Sequence, residues 1–128
     1  MDSCFLLIGK ERLLKKEFIL DLRKKYFQDS SNESLNFSEW DASEGFSLDT
    51  ALSFMRTAPF LADKRIAVIR EIETLEEEDQ KKLIAYLETS SPTAVLVLAS
   101  EETGTKKKKF LQELQALSTL VACHPPFE

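Results

Sequence analysis

The sequence predicts an α/β fold in which a five-stranded, mostly parallel sheet has helices on both faces. Five short apolar runs alternate with amphipathic stretches along the chain. The runs are continuously apolar, as expected for strands buried on both faces. With only 3 glycines and 4 prolines in 128 residues, few long loops are expected. Regular alternation of strand and helix favours parallel pairing through right-handed crossovers.

Each predicted strand is identified by its apolar run. In the second run, Leu35 and Phe37 fall on one face and Ser38 and Trp40 on the other, because successive side chains of a strand point to opposite sides. The fourth run is apolar throughout. The predicted strands are residues 4–8, 35–40, 66–69, 94–99 and 120–123.

The stretches between the strands have helical periodicity. Apolar residues recur at spacings of three and four, which is the pattern of an amphipathic helix packed on a sheet. Ser47 is a candidate N-cap, and Thr74 with Glu77 three residues later forms a capping box. The predicted helices are residues 10–27, 48–57, 75–88 and 107–117, with apolar stripes that include Leu14, Phe18, Leu22 and Tyr26 in the first and Leu48, Leu52 and Met55 in the second.

Length and composition fit one ordinary globular domain. Hydrophobic residues make up 43% of the chain and charged residues 30%, and a chain of this length buries roughly two-thirds of its unfolded surface. Residues 1–124 are assigned to the domain and 125–128 to the start of a linker, because Pro125 and Pro126 cannot continue a strand. The net charge of -5 argues against a general nucleic-acid binder, which needs a clustered positive surface.

The two cysteines, Cys4 and Cys123, both lie in apolar runs. Two cysteines do not make a disulfide framework, so buried thiols in a reduced, cytoplasmic setting are expected. No apolar run reaches the roughly 18 residues of a membrane span, and the amino terminus lacks the basic region of a secretory signal. His124 follows Cys123, but zinc needs about four converging ligands, so a loop histidine is the simpler interpretation.

Ligands bind at the carboxyl ends of the strands in a fold of this kind. A phosphate-binding loop after the first strand needs Gly-x-x-x-x-Gly-Lys and then Ser or Thr, so that backbone amides can wrap the phosphates. Residues 9–12 read Gly-Lys-Glu-Arg instead, with one glycine and an acid at the helix start. A Gly-x-Gly-x-x-Gly motif is also absent from the sequence. We therefore expect no nucleotide cofactor.

The end of the third strand carries charged residues. An NTPase places a magnesium-binding acid there, but Arg70 holds that position, followed by Glu71 and Glu73. A solvated turn is the simpler interpretation, and a divergent NTPase or kinase-like domain using the two glutamates is the enzyme alternative. A response-regulator receiver would need an acid pair after the first strand, an Asp ending the third and a Lys ending the fifth, and these are missing. No nucleophile has an evident base partner, so neither catalysis nor a bound metal is expected.

Four consecutive lysines, Lys106, Lys107, Lys108 and Lys109, precede the last predicted helix. Positive charge at a helix start opposes the helix dipole, and the preceding glutamates at 101–102 can offset it. A solvated face is the simpler interpretation. A weak contact with DNA or another phosphate remains open.

Residues 55–66 contain an unusual turn. The preceding helix ends near Thr57, and Pro59 prevents its smooth continuation. Phe60 and Leu61 then follow as two adjacent large apolar residues. Either they fold back onto the sheet, or they form an exposed wedge that fits a partner's pocket.

Four segments of the chain carry recognisable motifs. Residues 5–9 read Phe-Leu-Leu-Ile-Gly before a charged residue and a helix. Residues 57–69 contain an apolar pair, a small or polar residue, a basic pair and a hydrophobic strand. Residues 93–99 are followed by the lysine-rich helix, and Val-Ala-Cys stands at 121–123. In order and spacing these segments resemble the delta subunit family of the bacterial DNA polymerase III clamp loader, and the resemblance spans nearly the whole chain.

The resemblance implies the family's first domain, a degenerate nucleotide-binding fold with strand order 5-1-4-3-2 and no ATPase activity of its own. It also implies a domain that binds the sliding clamp, the beta subunit of DNA polymerase III, and helps to open that ring for loading on DNA. Carried over by position, Phe60 and Leu61 enter a pocket on the clamp. Pro59 beside them, with Leu52 and Met55 on the flanking helix, completes the expected clamp-binding set.

The chain departs from the family in two respects. Members usually have a short extension before the first strand, and they continue into a helical middle domain and a collar domain that joins the other loader subunits. Contacts with those subunits are therefore expected through regions beyond Glu128, and primed DNA is expected as a partner only within the complex. A purely structural adaptor with Phe60 in its core is the remaining alternative.

Overall fold

A computed structural model describes residues 3–28, 32–89, 91–102, 104 and 108–124. The strands are β1 Cys4–Ile8, β2 Phe37–Asp41, β3 Arg65–Arg70, β4 Ala94–Ser100 and β5 Thr119–Ala122. The helices are α1 Arg12–Tyr26, α2 Glu33–Asn36, α3 Leu48–Arg56, α4 Glu77–Glu88 and α5 Lys109–Ala116, with a 3₁₀ turn at Ile72–Thr74. The alternation of strands and helices expected from the apolar runs is confirmed.

The five strands form one parallel sheet in the order β2-β3-β4-β1-β5. This is the order 5-1-4-3-2 read from the other edge, so the expected topology is confirmed. Leu6 of β1 lies between Leu98 of β4 and Leu120 of β5. Every residue of the central strand β4 is buried, as a strand with neighbours on both sides and helices on both faces requires.

Two apolar layers enclose the sheet. Leu6 and Leu98 belong to one layer, together with the buried faces of α3, α4 and α5. Leu7 and Val97 belong to the other layer, which α1 covers through Leu22. Alternate residues of a strand point to opposite sides, so each strand contributes to both layers. The expected helices on both faces are confirmed.

The start of the second strand differs from the prediction. Leu35 was expected in the strand, but it lies in α2, and its side chain is 52% exposed. Asn36 ends this short helix, and its side-chain amide donates to the Asn32 carbonyl at 2.8 Å. The strand begins at Phe37. A tertiary interaction of Asn36, described below, stabilises this turn, and the local apolar pattern does not reveal it.

The N-cap predictions have different outcomes. Ser47 caps α3, since its hydroxyl accepts from the Thr50 amide. The capping box at Thr74 is wrong: Thr74 lies in the 3₁₀ turn, and its hydroxyl donates to the Glu71 carbonyl at 2.7 Å. Helix α4 begins later, with Glu76 at the N-cap position and three acids in its first turn. Those acids favour this start because they lie at the positive end of the helix dipole.

Candidate functional site

The turn after β1 packs against the chain that follows β5. Gly9 has a φ of 130°, and a Cβ built on it would lie 2.1 Å from the Cys123 carbonyl oxygen. The Glu11 amide donates to that same oxygen at 2.9 Å, and the Cys123 amide donates to the Ile8 carbonyl at 2.6 Å. The glycine is therefore required by an internal close approach of two backbones.

The amino terminus of α1 is capped by the side-chain carboxylate of Glu11. The side chain of Glu11 accepts from the Leu13 amide at 3.0 Å, and the amides of such a terminus are where a phosphate binds in related folds. Lys15 is 9% exposed, and its Nζ donates to the Ser100 carbonyl at 2.8 Å. Leu14, expected in the apolar stripe of this helix, is instead 38% exposed. Glu11 and Lys15, which lie where related folds bind a phosphate, are thus engaged in internal hydrogen bonds.

The carboxyl ends of β2 and β3 form a cleft of mixed charge against α1, with a volume of about 530 Å³. Arg70 forms an ion pair with Glu39 at 3.0 Å. Glu71 adopts a left-handed φ of 59°, and burial, followed by the neighbouring Glu73 carboxylate, raises the pKa of Glu71. Among the described residues, no group of three or more His, Cys, Asp or Glu side chains is arranged to hold a metal ion.

The loop of residues 57–64, called the wedge loop below, lies at the opposite edge of the sheet. It connects α3 to β3, and a connection from a helix to a parallel strand lies at the amino ends of the strands. Its two large apolar residues are exposed, Phe60 by 53% and Leu61 by 74%. Pro59 is half-buried, and Ala62 packs against the apolar layer under α1. The alternative in which Phe60 lies in the core is therefore not what the structure shows.

Both ends of the wedge loop are anchored to the fold. At its start, the Thr57 amide donates to the carbonyls of Ser53 and Phe54. At its end, the Lys64 amine donates to the Pro92 carbonyl, and the Arg65 guanidinium lies over the Phe54 ring, 4.5 Å from its centroid. Lys64 and Arg65 thus help to hold the wedge loop in place.

Leu52 and Met55 do not share this exposure. Leu52 is 4% exposed and Met55 is 0% exposed, and both pack in the apolar layer with α4 and α5. The structure does not support their expected direct contact with a partner, because both side chains are already buried in the core. Their role is to seat α3, from which the wedge loop departs.

Sequence reasoning missed two residues near the wedge loop. Asn36 is fully buried, and its side chain bonds both main-chain polar atoms of Phe60. Leu35, its neighbour in α2, adds exposed apolar surface. Asn36 belongs to no apolar pattern, and the alternation that includes Leu35 assigned that residue to a strand, so only the tertiary structure reveals the place of both. The one available sequence signal is that Asn32 and Asn36 are the only asparagines in the chain.

The lysine run and the cysteines occupy separate places. Lys106 and Lys107 lie outside the described residues, whereas Lys108 pairs with Glu102 at 3.0 Å and Lys109 is exposed.

The expected burial of the cysteines is confirmed, with Cys4 at 4% exposure and Cys123 at 1%, both as free thiols. Burial raises the pKa of Cys4 to about 12 and also raises that of Cys123.

The strand order and the glycine turn after β1 define a P-loop-like α/β domain in which that turn packs against the chain after β5. Residues 5–124 match the family model described as DNA polymerase III, delta subunit. The chain belongs to this family, whose members are clamp-loader subunits of DNA replication.

One curated relative is similar to the chain in sequence, and two solved structures are similar to it in fold. The chain is 28% identical over 120 residues to DNA polymerase III subunit delta of Bacillus subtilis (strain 168), covering 87% of this chain and 34% of that protein. The solved Bacillus subtilis DNA clamp loader delta protein superposes with a TM-score of 0.82 at 24% identity, covering 95% of this chain and 38% of that one. A DNA polymerase III gamma subunit-related protein of Thermotoga maritima has a TM-score of 0.71 at 15% identity, covering 98% and 43% of the two chains.

The chain spans about a third of the length of the curated relative that it matches. Across the described part of the chain, no helix combines the length and the apolar character that crossing a membrane requires.

Proposed function

We propose that this domain binds the sliding clamp of DNA polymerase III through Phe60 and Leu61 and, within a clamp loader, helps to hold the ring open. Family membership supplies the setting. The observation that carries the proposal is the exposure of this apolar pair, 53% for Phe60 and 74% for Leu61, in a loop anchored at both ends. Adjacent large apolar residues exposed on a fixed loop are typical of interface hot spots.

The energy available from the pair is substantial. Complete burial of a Phe or Leu side chain contributes about 1.5–3 kcal/mol. Since each side chain is at least half exposed, burial of the remaining surface in a clamp pocket is worth on the order of 1–2 kcal/mol per residue. Pro59 beside the pair is half-buried, and Leu35, which is 52% exposed, adjoins Asn36, whose side chain bonds Phe60.

Clamp opening follows from differential binding. A ligand shifts a ring between closed and open states only if it binds the open state more tightly. In the proposed mechanism, the pair occupies a pocket that is better formed when one interface of the ring is open. The domain then supplies binding energy alone, and ATP hydrolysis belongs to other subunits. The internal bonds of Glu11 and Lys15 at the former nucleotide turn support this division of labour.

The test is a calorimetric titration of the clamp from the same source with Phe60→Ala/Leu61→Ala. Loss of the pair should weaken binding at least tenfold, because about 1.4 kcal/mol corresponds to a factor of ten. The matched control is Leu13→Ala/Leu20→Ala, which removes two leucines of α1 with 60% and 48% exposure. The control should bind like the unmodified chain. Equal affinity of the unmodified chain and the Phe60/Leu61 variant contradicts the proposal.

Contacts with other loader subunits are proposed to lie in the parts of the relatives that this chain does not span. DNA contact is proposed only as a weak interaction of Lys106–Lys109 with primed DNA inside the complex. The test is a fluorescence titration with duplex DNA that compares the unmodified chain with a variant in which all four lysines are neutralised. Unchanged affinity and salt dependence contradict the DNA contact without affecting clamp binding.

A further inference from the structure

Both asparagines of the chain bind the main chain of the apolar pair. Asn36 accepts from the Phe60 amide through Oδ1 at 2.8 Å, and its Nδ2 donates to the Phe60 carbonyl at 2.8 Å. Asn32 donates through Nδ2 to the Leu61 carbonyl at 3.1 Å. No other asparagine occurs among the 128 residues.

The side chain of Asn36 acts as a neighbouring strand would. It gives one acceptor and one donor to the same residue, as paired residues of antiparallel strands do. Its Nδ2 also donates to the Asn32 carbonyl at 2.8 Å, and the residue is 0% exposed. A buried amide with its partners in place is costly to disturb, because a lost partner leaves a desolvated polar group. The main chain at Phe60 is thereby tied to α2.

Leu61 adopts an unfavourable backbone conformation. Its φ is 52°, in the left-handed region that residues with a Cβ avoid. Such a conformation persists where the surroundings over-determine it, and it is found at binding sites. The bonds to Phe60 and to the Leu61 carbonyl lie on both sides of this strained residue.

We propose that Asn36, assisted by Asn32, is the positioning residue of the clamp-binding surface. It holds the main chain of Phe60 and Leu61 in one conformation, so that both side chains are presented before the clamp is met. This proposal rests on the proposed function. Asn36 is buried and acts only through the loop. Apparent affinity falls with the fraction of molecules that hold the competent conformation, so a loosened loop binds more weakly through unchanged contacts.

The experiment is a double-mutant cycle measured by titration with the sliding clamp. Asn36→Ala should weaken binding about tenfold, and Asn32→Ala, which loses a single bond, about threefold. In the Phe60→Ala/Leu61→Ala background, neither substitution should weaken binding further, because there is no pair left to position. The control is Gln80→Ala in α4, which removes a comparable amide bond to the Leu75 carbonyl and should leave affinity unchanged.

A local readout separates positioning from a merely structural role. Hydrogen exchange of the Phe60 amide should accelerate at least tenfold in Asn36→Ala, whereas the Val68 amide inside β3 stays protected. If Val68 also loses protection, the Asn36→Ala variant has unfolded. The positioning role is then tested by Asn32→Ala alone, through its effect on clamp affinity and through the loss of that effect in the Phe60→Ala/Leu61→Ala background.

The outcomes distinguish this inference from the proposed function. If removing the apolar pair leaves clamp affinity unchanged, the proposed function fails, and this inference with it. If removing the pair weakens binding but the Asn36 and Asn32 variants bind like the unmodified chain, positioning fails and the proposed function stands. Equal losses with and without the pair likewise overturn the positioning role.

Discussion

Gly9 and Cys123 meet backbone to backbone, and a methyl group on Gly9 would lie 2.1 Å from the Cys123 carbonyl oxygen. The contact joins the turn after β1 to the chain that follows the edge strand β5. The glycine at this turn is therefore a packing requirement, and this determines how Gly9 responds to substitution.

Gly9→Ala should destabilise the fold by more than about 3 kcal/mol, because it combines a strained backbone with a backbone clash. The matched control is Gly45→Ala. Gly45 also has a positive φ, 54°, but a Cβ there meets nothing within 4 Å. Its cost should be only the left-handed conformation, about 1–2 kcal/mol. Urea unfolding of the two variants measures the difference, and equal losses contradict the packing role of Gly9.

Leu35→Ala should weaken clamp binding about threefold, less than the loss of the apolar pair. Leu35 is 52% exposed and adjoins Asn36, whose side chain bonds Phe60. Leu20→Ala on α1 is the control, since Leu20 is 48% exposed in another part of the surface. Titration with the clamp compares the two variants. Equal affinities of both place Leu35 outside the contact.

Glu71→Gln should raise the thermal midpoint near pH 7 and leave it nearly unchanged near pH 4. Burial and the Glu73 carboxylate raise the pKa of Glu71 in the fold. A raised pKa means that the folded state binds the proton more tightly, so this stabilisation is present at low pH and is lost as the pH rises through the folded pKa. Glutamine removes that loss and can still donate to Glu73. A midpoint difference that does not change with pH is the contrary result.

The two thiols should react slowly with a disulfide reagent in the native chain at pH 8. Burial raises the pKa of Cys4 to about 12 and that of Cys123 above its ordinary value, and the thiolate is the reactive form. In urea both thiols become exposed, and two equivalents should react rapidly. Absorbance of the released thiol follows the reaction. Rapid labelling of the folded chain is incompatible with the described burial.

Local patterns predicted the elements well because local rules govern them. The apolar run of β4 and the buried stripe of α3 follow directly from residue periodicity, and Ser47 caps the helix that it precedes. The strand order came from the family resemblance, since periodicity does not specify which strands pair. The pair Phe60 and Leu61 was identified, but its exposure depends on how the loop is anchored.

The missed features all depend on distant partners. Lys15 is buried and Leu14 exposed because the Lys15 amine reaches the Ser100 carbonyl, 85 residues away in sequence. Asn36 finds Phe60 across 24 residues and turns the expected start of a strand into a helical turn. Thr74 matches the capping-box pattern, but it lies in the 3₁₀ turn and does not cap α4. No residue pattern encodes such pairings.

The wedge loop and the turn at Gly9 lie at opposite ends of the parallel strands. A five-residue strand such as β1 is about 17 Å long, so a macromolecule seated at one edge need not cover the other. If a ring binds at the amino ends of the strands, as proposed above, the mixed-charge cleft beside α1 stays exposed at their carboxyl ends. The two ends of the sheet thus present two separate surfaces, one apolar at Phe60 and Leu61 and one of mixed charge at Arg70 and Glu71.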